Sequence, residues 1–156
     1  MRYVLTILLL CLAPVAAGAA DEPALSARMN EAREHFERKI RPVLIRHCYE
    51  CHSAAADEIQ GGLRVDSRDA LRTGGESGAA VVPGKPGEGT LLEALRHETF
   101  EMPPAGRLPA TVVEDFRRWI AQGAFDPREK PPTAADAARL AWQVTLAERR
   151  DWWSLQ

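Results

Sequence analysis

The sequence is short of most features that mark a specialised chain. Its 156 residues carry 20 Lys+Arg against 22 Asp+Glu, so neither sign of charge predominates. That balance excludes the basic surface expected of a nucleic-acid-binding protein. Aromatic residues make up only 6%, although four of them are tryptophan. No internal repeat and no alternating strand pattern is present, which argues against a solenoid or a β-sandwich. Cysteine is scarce too, at three residues, and that excludes a small fold stapled by several disulfides. What remains is the composition of one small globular domain.

The one long apolar run is at the N-terminus. Arg2 precedes Tyr3–Pro14, small residues follow to Ala20, and Asp21 and Glu22 come next. This order predicts a cleavable signal peptide over residues 1–20 and an exported protein, in the periplasm or an equivalent compartment. The run falls short of the roughly 20 residues of a spanning helix, so no stable membrane anchor is expected after cleavage.

With Cys11 in that segment, the cysteines left are Cys48 and Cys51, in Cys48-Tyr49-Glu50-Cys51-His52. A disulfide across two residues closes too small a loop to constrain the unfolded chain much. Three chemistries use such a pair. A thioredoxin-like redox site would need a βαβ setting, which the pattern lacks. A zinc site would need two further ligands, and His35, His47 and His97 form no ligand-spaced pair with another cysteine. Covalent attachment of haem c uses both thiols, with the adjacent imidazole of His52 on the iron. This third chemistry fits the pattern best and implies one covalent haem.

An iron held by one histidine takes a sixth ligand or stays open. Met102, in Glu101-Met102-Pro103-Pro104, sits on a stretch whose prolines bar helix. It is the expected axial partner of His52, with His97 as the rival. Met29 stands on the helix that leads into the motif, poorly placed to reach the opposite face.

The rest predicts short helices and Gly/Pro-rich loops. Leu25–His47 is helix-compatible, with Phe36, Ile40, Val43 and Leu44 at helical spacing and Pro42 expected to kink or divide it. Gly61–Val65 reads as extended, and Asp66 or Ser67 as the cap of a turn through Leu71. Residues 74–89 hold six of the eleven glycines and read as loop. Thr90 and Thr111, each followed three residues later by glutamate, predict capping boxes. The second opens a helix with Val112, Phe116, Trp119 and Ile120 on one face, stopped by Gly123.

Several ordered stretches carry a resemblance. They are Ile40–Leu44, Cys48–His52, Gly61–Asp66, Gly74–Gly78, Val82–Pro86, Glu101–Pro104 and Trp119–Ala124. As a set, Phe36–Arg128 resembles the planctomycete-type cytochrome c domain, a relative of the class I cytochromes c. The resemblance implies an all-α fold wrapped around one covalent haem c, with His52 and Met102 as axial ligands. It implies an electron-transfer domain rather than an enzyme, serving a redox partner protein or a fused domain. In class I relatives a proline carbonyl supports the proximal histidine, and Pro83 looks like its equivalent. The alternative functions are a haem-based gas or ligand sensor with a displaceable Met102, and peroxidase-like catalysis. The expected organisation is a signal peptide over 1–20, the haem domain over 24–128, and a linker with a C-terminal helix over 129–156. Such domains often stand at the front of longer proteins, so this last segment reads either as the start of a truncated further domain or as a helix that buries Trp152 and Trp153.

Overall fold

The computed structural model describes residues 22–130 and, beyond them, residues 133, 135, 136, 139 and 142. The expected signal peptide, most of the expected C-terminal helix, and Trp152 and Trp153 lie outside the described residues. The described residues are helical and contain no strand; Gly75 and Gly78 form one isolated bridge. The fold is the all-α arrangement expected from the sequence.

The first helical stretch runs unbroken to the cysteine motif. Helix α1 spans Glu22–His35, a π-helical turn spans Phe36–Ile40, and α2 spans Arg41–His47. The amide of Arg41 donates to the Phe36 carbonyl, five residues back. Pro42, at the first turn of α2, has no N–H for an α-helical ladder. The widened turn comes directly before it, so the helix passes through where a kink or a division was expected. Phe36, Ile40 and Leu44 are fully buried along this stretch, whereas α1 buries no residue at all.

A 3-10 turn over Gln60–Gly62 stands where extended chain was expected from Gly61, because both glycines take positive φ. The α-helices α3, Arg68–Thr73, α4, Thr90–Leu95, and α5, Ala110–Ala121, follow. Ser67 caps α3, its hydroxyl accepting from the Ala70 amide at 3.3 Å. The two capping boxes do not form. Gly89 and Pro109 occupy the N-cap positions of α4 and α5 without side-chain bonds, so each threonine falls inside its helix. Their glutamates turn outward instead: Glu93 accepts from the Thr99 hydroxyl, and Glu114 pairs with Arg117. Both capping boxes lose to local geometry, because Gly89 starts α4 one residue early and Pro109 starts α5 two residues early.

The core lies between the π-helical turn, α4 and α5. Trp119 packs on Phe36 at 6.0 Å and edge-on to Phe116 at 6.1 Å, pairings worth roughly 0.5–1.5 kcal/mol each beyond their burial. Leu71, Val81, Leu92, Leu95 and Ile120 fill the remainder. Gly123, with φ of 99°, ends α5 as expected, and the Trp119 indole donates to the Phe125 carbonyl at 2.7 Å.

Candidate haem site

The end of α2 delivers the cysteine motif. The amides of Cys48 and Tyr49 both donate to the Leu44 carbonyl at 3.0 Å, and His52 N–H returns to Cys48 O at 2.9 Å. The motif is thus a tight turn continuing the helix. The Cys48 and Cys51 thiols are both free and half-buried. Burial pushes the Cys48 thiol up to about 12, so in the haem-free chain it is held protonated at neutral pH.

Beside the motif lies a cavity of about 290 Å³. Cys48 and His52 line it together with Met102, while Leu63, Leu91 and Leu95 contribute apolar wall. Two loops bring the distant side in. Gly61 and Gly62 turn the chain with φ of 59° and 63°, carrying Leu63 and Val65 against the motif. The Met102 amide donates to the Ala94 carbonyl at 3.3 Å, which ties the proline-flanked loop to the end of α4. Met102 is 37% exposed and Phe100 36%, so the cavity opens to solvent on the methionine side. Cys51 is not among the lining residues; its carbonyl accepts from the Gln60 amide at 3.1 Å.

His52 Nδ1 lies 3.3 Å from the Leu63 carbonyl. A carbonyl only accepts, so Nδ1 carries the proton and the lone pair belongs to Nε2. That is the tautomer required of a metal-ligating imidazole. Pro83 was the expected partner here, and the structure supplies a different carbonyl. Lys85 and Val82 close the Pro83 turn on themselves, and the Gly84 amide donates to Ile120 O at 2.8 Å, so this loop is tied to α5. The Gly61–Gly62 turn reaches His52 first. Pro83 is also absent from the cavity lining, as are His97 and Met29.

Behind the cavity, polar groups are concentrated on the motif. Among the described residues the buried polar side chains are Ser53, Asp66, Ser67 and Asp126. The Ser53 hydroxyl donates to the Tyr49 carbonyl at 2.7 Å, and Asp66 accepts from the Ala54 amide at 2.6 Å. The Arg128 guanidinium donates to the Tyr49 hydroxyl and pairs with Asp126 at 2.6 Å, and it stacks over the Phe36 ring at 4.9 Å. Burial opposes the Arg128 charge, yet Asp126 and Tyr49 hold its pKa above the usual range. Burial likewise pushes the Tyr49 phenol up, with Arg128 acting against it. Leu63 and Asp66 carry no motif of their own. The sequence marks Asp66 as a candidate helix cap and places both in the Gly61–Asp66 stretch of the resemblance, but gives neither a role beside His52.

The site suits haem chemically: the Cys48 thiol and an oriented imidazole line it with a thioether and apolar side chains, and the Cys51 thiol stands in the adjoining turn of the motif. It suits a protein-only metal centre poorly, since no three His, Cys, Asp or Glu side chains cluster among the described residues. No described helix is long and apolar enough to cross a membrane. Residues 48–106 match the family described as Planctomycete cytochrome C. No curated protein and no solved structure matches the chain. Over residues 48–106 the chain is thus similar to planctomycete-type cytochrome c domains, a family whose cofactor is haem c.

Proposed function

We propose that the chain is a one-electron carrier holding a single haem c through thioethers at Cys48 and Cys51, with His52 and Met102 as its axial ligands. The observation that supports this most is that His52 and Met102, remote in sequence, line one apolar cavity. A bound haem supplies a one-electron Fe(III)/Fe(II) couple, and a histidine/methionine ligand pair favours a high potential over oxygen chemistry. The chain's own residues do the rest. Leu63 orients the imidazole, Ala94 fixes the backbone of the methionine loop, and the leucines exclude water from most of the cavity. The exposed side, at Phe100 and Met102, is where electrons would pass to a redox partner or a fused domain.

The organisation that goes with this reading is export by a signal peptide over 1–20, a haem domain over 24–128, and a further segment over 129–156. The test is expression of the full chain in a host with c-type maturation machinery. Haem should stay with the polypeptide on a denaturing gel, and replacing both Cys48 and Cys51 by alanine should abolish that stain while export continues. Haem that washes out on denaturation would overturn the covalent reading.

A further inference from the structure

We propose that Asp66 is a positioning residue for His52, a role that rests on reading His52 as the haem ligand. Three hydrogen bonds hold the turn after the motif against the segment Leu63–Asp66. His52 Nδ1 meets Leu63 O at 3.3 Å, the Val65 amide donates to His52 O at 2.8 Å, and the Ala54 amide donates to Asp66 Oδ2 at 2.6 Å. The first two are made by backbone of the clamping segment and require no particular side chain there. The third is the shortest, and only Asp66 can make it.

Asp66 is fully buried, and its second oxygen, Oδ1, has no hydrogen-bond partner. A buried oxygen left unpartnered is destabilising, a cost that a hydrophobic side chain at this position would avoid. The carboxyl is therefore kept for the bond it does make. It is also rigidly mounted. Ser67 caps α3 directly after it, and the Arg68 amide donates to the Arg128 carbonyl at 2.7 Å. Arg128 in turn donates to the Tyr49 hydroxyl inside the motif. Asp66 thus links a fixed helix start to the backbone two residues beyond the ligand. It sets how closely the His52 ring approaches Leu63, and through that bond how basic the imidazole is.

The experiment compares haem-loaded wild type with Asp66→Ala and Asp66→Asn, reading the reduction potential and the hydrogen exchange of the Ala54 amide. Alanine removes the acceptor: Ala54 should lose at least about tenfold in protection, and the potential should rise, because a less basic imidazole favours ferric iron less. Asparagine keeps an oxygen in place, and both readouts should stay near wild type. The inference requires the potential to follow Ala54 protection across the variants. It is overturned if Asp66→Asn raises the potential while Ala54 stays protected, since charge alone would then be acting. It is equally overturned if Asp66→Ala lowers the urea midpoint but leaves the potential of the folded protein unchanged, which is what a merely structural role would give. If Asp66→Ala yields no folded holoprotein, Asp66→Glu, which displaces the acceptor without removing it, takes its place. The potential must then shift together with Ala54 protection, or the inference is overturned. Wild type that never takes up haem refutes the haem reading instead, and is recognised before any variant is made.

Discussion

Arg128 donates a hydrogen bond to the hydroxyl of Tyr49, joining the end of the described fold to the middle of the cysteine motif across 79 positions. The same guanidinium is paired with Asp126, whose side chain is 1% exposed. Arg128→Ala should therefore leave a buried carboxyl without its partner and cost roughly 3–5 kcal/mol. Tyr49→Phe removes one hydrogen bond and should cost about 1 kcal/mol. Urea unfolding of both variants checks the ranking; equal midpoints would show that the pair adds nothing.

The Tyr49 phenol also predicts an alkaline limit. Burial raises its pKa in the folded chain, with Arg128 opposing. Above the ordinary tyrosine value of about 10, the unfolded chain releases this proton while the folded one keeps it. The folded state then binds more protons, so stability falls as pH rises from about 10 through the folded-state value. Tyr49→Phe should flatten that decline in unfolding midpoints measured between neutral and strongly alkaline pH.

Gly75 and Gly61 should fail differently when changed to alanine. A Cβ on Gly75 would lie 2.9 Å from the Leu63 amide nitrogen and press on the Gly61 carbonyl. That pushes on the segment whose carbonyl meets His52. The expected cost is about 1–3 kcal/mol, together with a lower yield of haem-loaded protein. At Gly61 a Cβ meets open space but the backbone has φ of 59°. There the cost should be roughly 1–2 kcal/mol, with haem yield unchanged. Parallel urea melts and haem-to-protein ratios distinguish the two.

Met102→Ala should open the sixth position of a haem-loaded chain. The loop itself should hold, because the residue 102 amide keeps its bond to Ala94 O whatever the side chain. Ready binding of carbon monoxide to the ferrous variant, a lower potential, and little binding by wild type are the expected results. If wild type binds carbon monoxide as readily as the variant, the sensor reading displaces the carrier.

The sequence marks the candidate site residues more plainly than their supports. Cys48, Cys51, His52 and Met102 stood out because their residue types are rare here and their spacing is diagnostic. The faces of the π-helical turn and α5 were legible for another reason: burial imposes helical spacing on Phe36, Ile40, Phe116 and Trp119. The carbonyl facing His52 was not legible, since every residue has one. Which carbonyl arrives depends on the path set by Gly61 and Gly62. The capping boxes at Thr90 and Thr111 misled for a related reason. Whether a threonine becomes a cap is settled by where the chain just upstream starts the helix, and Gly89 and Pro109 took the cap position.

Helix α5 contributes nothing to the cavity lining, yet Phe116, Trp119 and Ile120 close the back of the core against Phe36. A fragment ending where the family match ends, at 106, would keep every residue proposed to hold a haem and lose the wall against which they are packed. The shortest length of chain that carries the chemistry and the shortest length that can stand up unaided are therefore different. An engineer trimming this domain should cut after Arg128 rather than after the methionine loop.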